Sequence, residues 1–358
     1  MTLEKRINAF VTLGTFLKQF SGKGEMPSDN ILNKAFNNNF NELILSVHFH
    51  NGWFTEDNVR NAIVAVAGNL ELASLNKWLS VYPEISQKTE PKSVAVIMAG
   101  NIPLVGFHDM LCVLLSGNKF VGKLSSDDKL LLPFIAKIII EIEPEFEKFI
   151  EFTEGQIKNI DAVIATGSNN SARYFEYYFG KYPHIIRKNR NSVAIISGNE
   201  SKEELGLLGK DIFQYFGLGC RNVSKLFVPT DYNFDLFYQS VFDFQGVINN
   251  NKYGNNYDYN RTVYLMSNHP SLLDNNFLLL KEDTAYSSPI GVLFYEFYED
   301  VSTLSQRLEK DKEQLQCIVS SSLCGTEIVS TIPFGEAQCP QLGDYADGVD
   351  VLSFLIGL

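Results

Sequence analysis

Short apolar runs that alternate with helical patterns are the feature of this sequence that most constrains its fold. The runs are residues 93–99, 119–124, 162–165 and 191–196. The first is almost continuously apolar and of strand length, which is typical of a strand buried on both faces of a parallel sheet. The other three are also of strand length. Helical patterns follow the first three runs, from about residues 105, 125 and 171. This alternation predicts an α/β fold with a doubly wound parallel sheet.

Periodicity also assigns the rest of the chain. Residues 3–17 and 58–79 place apolar side chains at helical spacing, so the first 90 residues or so are expected to be mainly helical. Later elements are predicted as a helix at 202–216 and strands at 226–228, 262–266 and 291–298.

Charge and hydropathy exclude several classes of protein. A formal net charge of −12 argues against a general nucleic-acid or anionic-membrane surface, because both need clustered cations. No stretch approaches the roughly 18 apolar residues of a membrane span, and residues 1–7 lack the apolar core of a signal peptide. We therefore expect a cytoplasmic protein with no membrane span and no nucleic-acid partner.

The spacing of cysteines and histidines gives no metal site. The five cysteines form no CxxC pair, and the five histidines form no HxxxH or HExxH pattern. An odd number of unpaired cysteines also disfavours a disulfide framework. The expectation is no metal and a set of reduced thiols, one of which is a candidate nucleophile.

Ligands of doubly wound sheets bind beyond the carboxyl ends of the strands. The predicted loops at that position are 99–103, 123–127, 166–170 and 197–199. Three of the four contain small residues, hydroxyls or a lysine, which suit the close approach of a nucleotide. The chain has neither GxGxxG nor GxxxxGK[ST], so the ordinary dinucleotide fingerprint and a phosphate-loop kinase are unsupported.

Cys220 lies in an unusual frame, FGLGCRN at residues 216–222, between a predicted helix and a predicted strand. The glycines would let a substrate carbonyl reach the sulfur and would expose backbone N–H groups to an oxyanion. A cation such as Arg221 or Lys225 would favour the thiolate. A buried structural cysteine fits the local sequence equally well, because cysteine is among the most buried residue types.

The other four cysteines are expected to be structural. Cys112 stands inside an apolar run and is predicted to be core. Cys317, Cys324 and Cys339 lack the glycine-rich frame, so the same structural interpretation applies to them.

Several polar residues near the strand ends have both a functional and a structural interpretation. Asn101 offers an amide donor or simply forms a turn. Lys123 would bind a ribose or phosphate, or remain a solvated lysine. The Thr-Gly-Ser turn at 166–168 lines a ligand or caps a helix. His108 and Asp109 are a less favoured candidate acid–base pair.

The order of these features resembles the aldehyde dehydrogenase superfamily, and within it the bacterial acyl-CoA reductases, including the reductase component of bioluminescence systems. The matching segments are Asn101-Ile102-Pro103 for the Asn-Pro loop, Lys123 for the ribose lysine, Thr166-Gly167-Ser168 for the Thr-Gly-Ser turn, Cys220 for the nucleophile, Pro333-Phe334-Gly335, and the ending at residues 344–350. The resemblance covers roughly residues 90–358.

The resemblance implies an aldehyde-dehydrogenase-like fold, in which a parallel doubly wound cofactor domain is interleaved with an α/β catalytic domain. It implies that Cys220 and Asn101 are catalytic. The cofactor-binding residues that it implies are Met98, Ala99, Gly100, Lys123, Ser125, Thr166, Gly167 and Ser168. The expected divisions are a helical part of the cofactor domain at 1–90, the dinucleotide-binding core at 91–198, the catalytic domain at 199–334 and a tail at 335–358.

Two departures from the superfamily pattern bear on the reaction. Aldehyde-oxidising members carry a water-activating glutamate upstream of the cysteine, whereas residues 188–193 here read KNRNSV and contain no carboxylate. The Glu-x-Phe-Gly-Pro segment, whose glutamate holds the nicotinamide ribose, is replaced by SSPIG at 287–291. Without the water-activating base, hydrolysis of an acyl-enzyme is not expected.

The resemblance and these departures predict reduction of a fatty acyl-CoA or acyl-protein thioester to the aldehyde, through an acyl-enzyme on Cys220. NADPH is expected, with NADH as the alternative, because no acidic ribose ligand is evident at the end of the strand that carries Lys123. A homo-oligomer is a further expectation. The alternatives are a non-acylating aldehyde or semialdehyde dehydrogenase, and a non-catalytic binding protein that retained the fold.

Overall fold

The computed structural model describes residues 1–21, 31–86, 90–267, 271–321 and 330–358. The chain forms two compact units. The first comprises Met1–Lys188 together with Gln341–Leu358, and the second comprises Asn189–Pro340. The two units divide ten residues before the boundary expected at residue 198, so the assignment of cofactor and catalytic roles to particular segments remains a proposal.

The first unit has a parallel sheet, and helices precede, separate and follow its strands along the chain. Its helices are α1 (Leu3–Lys18), α2 (Ile31–Ser46), α3 (Glu56–Asn69), α4 (Leu72–Leu79), α5 (Phe107–Leu115), α6 (Leu131–Ile142), α7 (Asn169–Phe179) and α12 (Val351–Ile356). Its strands are β1 (Ser93–Ile97), β2 (Lys119–Lys123), β3 (Ile150–Thr153), β4 (Ala162–Thr166) and β5 (His184–Arg187). They lie in the order β3-β2-β1-β4-β5.

The central strands are buried because their side chains are apolar on both faces. Val94, Ala95 and Val96 of β1 are at most 1% exposed, and the first four residues of β4 are fully buried. β1 pairs in parallel with β2 on one side and with β4 on the other. The order of the strands therefore reverses beside β1, and this is where open α/β sheets bind their ligands.

The chain returns to the first unit at its end, where the sequence predicted only a tail. Trp78 Nε1 donates to the Tyr345 hydroxyl at 3.0 Å, and the Tyr82 hydroxyl donates to Asp350 Oδ2 at 2.9 Å. Asn118 Nδ2 donates to the carbonyl oxygen of Leu355 at 3.1 Å. These polar contacts fix the terminal segment against α4 and the residues after it, and against the turn between α5 and β2.

The second unit is built on a mixed sheet. Its helices are α8 (Lys202–Phe213), α9 (Asp235–Ser240), α10 (Asn251–Met266) and α11 (Val301–Lys310). Its strands are β6 (Asn191–Ile195), β7 (Val223–Pro229), β8 (Leu273–Asp274), β9 (Leu279–Glu282), β10 (Val292–Tyr298) and β11 (Leu315–Ser320). The order is β11-β6-β7-β10-β9-β8, with only the β8–β9 pair antiparallel among the described strands.

Three predictions about individual elements were wrong. The run at 191–196 is a strand, but it pairs with β7 and β11 and not with the first sheet. Residues 262–266, predicted as a strand, form the last turns of α10, which starts at an Asn250 cap and buries Tyr253 and Tyr257 at helical spacing. The helix expected to open at residues 125–128 begins only at Leu131.

Candidate active site

Three of the predicted ligand loops meet at one edge of the first sheet. They follow β1, β2 and β4, which are adjacent and parallel, so their carboxyl ends lie side by side. The backbone N–H of Met98 donates to the carbonyl oxygen of Lys123 at 3.2 Å. The structure thus brings the predicted cofactor residues of all three loops to the switch point of this sheet.

The loops after β1 and β2 are in close contact. A Cβ on Gly100 would lie 2.5 Å from Ser125 Oγ and 2.7 Å from Ser125 Cβ, so only glycine fits there. Asn51 bridges the same loops, because its Nδ2 lies 3.5 Å from the Gly100 carbonyl oxygen and 3.3 Å from that of Asp127. Asn51 is 4% exposed, and sequence reasoning missed this role because the residue lies about 50 positions earlier.

Lys123 is the last residue of β2. Its ammonium donates to the carbonyl oxygens of Glu154 and, at 2.7 Å, of Gly155, in the loop after β3. An ammonium has three N–H donors, so these two contacts leave one for a ligand hydroxyl or phosphate. Lys129 adds a second cation at this edge, paired with the Glu154 carboxylate at 3.0 Å.

The Thr-Gly-Ser turn caps the helix that follows β4. Ser168 is the N-cap of α7, and its Oγ accepts from the backbone N–H of Ser171 at 3.2 Å. A Cβ on Gly167 would lie 2.8 Å from Ser171 Cβ, which keeps this strand end free of side-chain bulk. The hydroxyl of Thr166 lies 3.4 Å from Arg187 Nη1.

The structure rules out an acid–base pair formed by His108 and Asp109. Asp109 is 6% exposed, and both of its carboxylate oxygens accept from the guanidinium of Arg187 at 2.7 and 2.8 Å. Burial alone would raise the pKa of Asp109, but Arg187 lowers it below its ordinary value. His108 Nε2 lies 3.0 Å from the carbonyl oxygen of Leu342. Asp109 is therefore a fixed anion of the core.

Cys220 lies on an exposed turn between α8 and β7 of the second unit. After α8, Tyr215, Phe216 and Gly217 have φ values of 53°, 58° and 77°. Two non-glycine residues in the left-handed region are unfavourable by about 1–2 kcal/mol each, so the surrounding contacts must hold this stretch in place. The left-handed stretch ends the helix and turns the chain toward the thiol.

Contacts on several sides hold the Cys220 turn. The Asn222 side chain accepts from the Gly219 N–H at 2.8 Å, and the Ser192 hydroxyl donates to the Cys220 carbonyl oxygen at 2.8 Å. Arg221 donates to the carbonyl oxygen of Ala337 at 3.1 Å. Of these partners, Ser192 and Ala337 belong to segments that lie far from Cys220 in the sequence.

Lys225, the second cation, does not activate the thiol. It is fully buried in β7, and its ammonium donates to the carbonyl oxygens of Asp283 and Thr284 and to Glu296 Oε2 at 2.5 Å. All three donors of the ammonium are used by these acceptors. Lys225 is a structural cation of the second sheet, and Arg221 is directed to Ala337.

The other cysteines follow their structural assignment with one exception. Cys112 is fully buried, and Cys317 is 8% exposed with a pKa that burial raises to about 11. Cys339 is exposed, contrary to the expectation of a buried residue. Cys324 lies outside the described residues.

The fourth predicted ligand loop does not join the others. Residues 197–199 follow the carboxyl end of β6, whereas Cys220 precedes the amino end of the parallel neighbour β7. The loop and the thiol therefore lie at opposite edges of the second sheet. Glu200 organises this loop by accepting from the Ser197 N–H at 2.7 Å and the Gly198 N–H at 3.0 Å.

No group of three or more His, Cys, Asp or Glu side chains within residues 1–21, 31–86, 90–267, 271–321 and 330–358 is placed to hold a metal ion. Over the same ranges, no helix has the length and apolar character needed to cross a bilayer.

The predicted site residues are divided between the two units. Asn101 is half-buried on the turn after β1 and belongs to the first unit, with all of the predicted cofactor residues. Cys220 belongs to the second. The strand-end edge of the first unit is compatible with a nicotinamide dinucleotide: its loops pack closely at Gly100 and Gly167, where a Cβ would clash, and Lys123 supplies a cation.

Comparison with known proteins gives one family match. The family model for acyl-CoA reductase (LuxC) matches residues 38–236, more than half of the chain. This range contains Cys220 and every residue predicted to bind the cofactor. No curated protein sequence matches the chain.

Solved structures of aldehyde dehydrogenases share the fold. Aldehyde dehydrogenase 21 from Physcomitrella patens, in complex with the product succinate, matches with a TM-score of 0.70 at 13% identity, over 100% of this chain and 84% of that one. An NAD+ complex of the Bacillus cereus aldehyde dehydrogenase gives 0.60 at 15% identity, over 89% and 72%. An NADP complex of glyceraldehyde-3-phosphate dehydrogenase from Bacillus halodurans gives 0.59 at 13% identity, over 89% and 74%. The predicted aldehyde-dehydrogenase-like fold is confirmed.

Proposed function

The chain belongs to the acyl-CoA reductase (LuxC) family and is therefore an oxidoreductase of that type, and from this premise we propose that it reduces a fatty acyl-CoA to the aldehyde with NADPH, through an acyl-enzyme on Cys220. The observation that carries the proposal is the family match over residues 38–236, because this range contains both the strand-end loops and the exposed thiol. In this proposal, the first unit binds the cofactor and the second unit supplies the nucleophile.

The nucleophile of the proposed reaction is Cys220. Its thiolate attacks the thioester carbonyl carbon, a bond forms between that carbon and Sγ, and the bond to the sulfur of coenzyme A breaks. Coenzyme A leaves as its thiolate, and the acyl group remains on Cys220. The exposed turn makes the sulfur accessible to a thioester that is too large to enter a closed core.

The negative charge that develops on the carbonyl oxygen needs donors. We assign this role to the Asn101 amide and to the backbone N–H of Cys220, following the resemblance to the superfamily. A preorganised donor of this kind contributes about 3–4 kcal/mol to the stabilisation of a transition state. The half-buried position of Asn101 on the turn after β1 is compatible with such a role.

The proposed cofactor site is the strand-end edge of the first unit. When bound, the nicotinamide cofactor supplies the hydride that reduces the acyl group. Lys123 and Ser125 would hold the adenosine ribose, and Met98, Ala99 and Gly100 with the turn at 166–168 would line the cofactor. The preference for NADPH is supported by Lys123 and Lys129 at this edge, because two cations favour a 2′-phosphate.

The last step returns Cys220 to its starting state. After reduction, the bond between Sγ and the former carbonyl carbon breaks, the aldehyde leaves and the thiolate is regenerated. The segment at 188–193 contains no carboxylate that could activate water against the acyl-enzyme. The acyl group is therefore kept for reduction rather than lost as a carboxylic acid.

An acyl-CoA panel with NADPH tests the proposal. Cofactor absorbance should fall with at least one fatty acyl-CoA, and without NADPH the acyl group should accumulate on the peptide that contains Cys220. Cys220→Ala should abolish both signals. Cys339→Ser is the matched control, because Cys339 is the other exposed cysteine described in the second unit and should leave both signals unchanged.

The alternatives have distinct outcomes. A Cys220→Ala variant with full activity would refute the acyl-enzyme. A protein that oxidises aldehydes without coenzyme A would be a non-acylating dehydrogenase. A protein without cofactor-dependent thermal shift, whose Cys220 reacts with iodoacetamide only at the rate of an ordinary thiol, would be a non-catalytic relative.

A further inference from the structure

We propose that Asn222 is a positioning residue for Cys220, which fixes the turn that presents the thiol; this inference rests on the proposed function of Cys220 as the nucleophile. Asn222 is 3% exposed and lies two residues after the thiol. Its side chain contacts the turn on one side and the end of α8 on the other. Both groups of contacts lie within the second unit.

The amide of Asn222 donates to backbone carbonyl groups that the end of α8 leaves without helical partners. A helix leaves its last carbonyl groups without helical partners, and here the left-handed residues after Gln214 direct the chain away. Asn222 Nδ2 lies 3.0 Å from the carbonyl oxygen of Asp211, 3.4 Å from that of Ile212 and 2.7 Å from that of Gln214. The two amide hydrogens are thus shared among three acceptors.

The other atom of the amide holds the turn itself. Asn222 Oδ1 accepts from the backbone N–H of Gly219 at 2.8 Å, and the backbone N–H of Asn222 donates to the Gly219 carbonyl oxygen at 3.0 Å. The peptide on each side of Gly219 is therefore fixed. Because Cys220 follows directly, its N–H and its Cα–Cβ direction are fixed with it.

Asp211 connects this turn to a more distant loop. Its carboxylate, fully buried, accepts from the N–H groups of Gly335 at 2.6 Å and Ala337 at 3.0 Å. The carbonyl oxygen of Ala337 in turn accepts from Arg221. Asn222 and Asp211 therefore belong to one network, in which Asn222 is the member that touches the turn and the helix together.

A fixed turn matters more for acyl transfer than for simple thiol chemistry. Attack on a bound thioester needs the sulfur at a defined distance and angle, and a misplacement of about 1 Å can lower a rate by about 100-fold. Alkylation by a small reagent only needs an accessible thiolate. Comparing the rates of these two reactions of the same sulfur therefore distinguishes a loss of thiol positioning from a loss of folding and from a change in thiol ionisation.

The test compares Asn222→Ala and Asn222→Asp with Asn255→Ala, a control at an exposed residue of α10 in the same unit. The full chain is used, and four quantities are measured: the rate of acyl transfer from acyl-CoA to Cys220 without NADPH, the rate of iodoacetamide alkylation, deuterium exchange across residues 217–221, and the folded fraction. The Asp variant keeps an acceptor for Gly219 but loses the donor to the helix carbonyls.

We expect both Asn222 variants to transfer the acyl group about 10- to 100-fold more slowly than the wild type, with nearly unchanged alkylation and faster exchange in the turn. The control should match the wild type in all four measurements. Asn222→Asp should be no better than Asn222→Ala, because its carboxylate faces carbonyl oxygens.

Two results would overturn the inference alone: acyl transfer at the wild-type rate per folded molecule, or acyl transfer and alkylation that fall together with the folded fraction. A wild-type protein that is not acylated on Cys220 refutes the proposed function and this inference with it. Acylation of Cys220 in the wild type therefore distinguishes a failure of this inference from a failure of the proposed function.

Discussion

The guanidinium of Arg187 and the carboxylate of Asp109 form two parallel hydrogen bonds, 2.7 and 2.8 Å long, inside the first unit. Both side chains are less than 10% exposed. The pair joins α5 to the end of β5, and Arg187 also reaches the Thr166 hydroxyl at 3.4 Å. One buried ion pair thus supports a strand end that we assign to the cofactor.

Removal of one partner of this pair should be strongly destabilising. Arg187→Met leaves the Asp109 carboxylate buried without a counter-ion, so we expect the free energy of unfolding in urea to fall by about 3–5 kcal/mol. The double variant Arg187→Met with Asp109→Leu should recover most of this loss. Lys188→Met, which removes an exposed pair with Glu176, should change stability by less than about 1 kcal/mol. Equal effects of the Arg187 and Lys188 substitutions would contradict the prediction.

Asp211 should make the stability of the second unit depend on pH. Burial raises its pKa to about 6 from 3.8, although two backbone N–H groups favour the carboxylate. The folded state then binds a proton that the unfolded state has released, so the stabilisation is complete below about pH 4 and is lost as the pH rises through about 6. The full change for a shift of this size is about 3 kcal/mol.

Asp211→Asn removes this titration. Because the wild type gains stability from proton uptake and the variant does not, the variant should be more destabilised near pH 4 than near pH 7. Urea unfolding at both pH values measures the difference. Asp243→Asn, at an exposed residue of the same unit, is the control and should show the same small effect at both. A pH-independent effect of Asp211→Asn would disprove the buried titration.

Glu296 should be required to keep Lys225 charged in the second sheet. Burial lowers the pKa of Lys225, and the Glu296 carboxylate partly offsets this effect. Glu296→Gln removes the offset, so we expect a loss of about 3 kcal/mol near pH 7. A lowered lysine pKa means that the folded state binds fewer protons, so this loss should shrink as the pH rises toward about 10. Unfolding measurements that show no such recovery would contradict the prediction.

Gly100→Ala should damage cofactor binding more than folding. The new Cβ would lie 2.5 Å from Ser125 Oγ and 2.7 Å from Ser125 Cβ, so the loops after β1 and β2 must separate. We expect the KM for NADPH to rise about tenfold or more, which corresponds to about 1.4 kcal/mol, with alkylation of Cys220 unchanged. Adding Ser125→Gly should restore part of the loss. Gly68→Ala, where nothing lies within 4 Å of the new Cβ, is the control, and an equal KM in both single variants would refute the steric explanation.

The central strands could be predicted because their signal is local. Residues 94–97 and 162–165 are continuously apolar, and such runs are buried wherever they pair. The run at 191–196 carries the same signal, but its pairing partners β7 and β11 are distant in the sequence, so its sheet could not be read from it. Residues 262–266 were wrongly predicted as a strand, because a short run of residues that favour strands can also belong to a helix, and the flanking residues decide between the two.

The candidate site shows the same division. The thiol of Cys220, the lysine at the end of β2 and the Thr-Gly-Ser turn are recognisable from their order along the chain. Asp211 is not, because in the sequence it is an ordinary aspartate near the end of a helix. Its importance comes from N–H groups that lie 124 and 126 residues further on.

The sequence by itself determined which residues are candidates for chemistry, a cysteine among glycines and small or cationic residues at strand ends, because these depend on residue type and short spacing. Only the tertiary structure decided which charged and polar side chains stabilise the fold. Buried Lys225 and Asp109 are paired with Glu296 and Arg187, and the Asn222 amide donates to three carbonyl groups at and just beyond the end of α8. Burial makes an unpartnered polar group unfavourable, so the position of the partners, which local sequence does not specify, settles the role of each side chain.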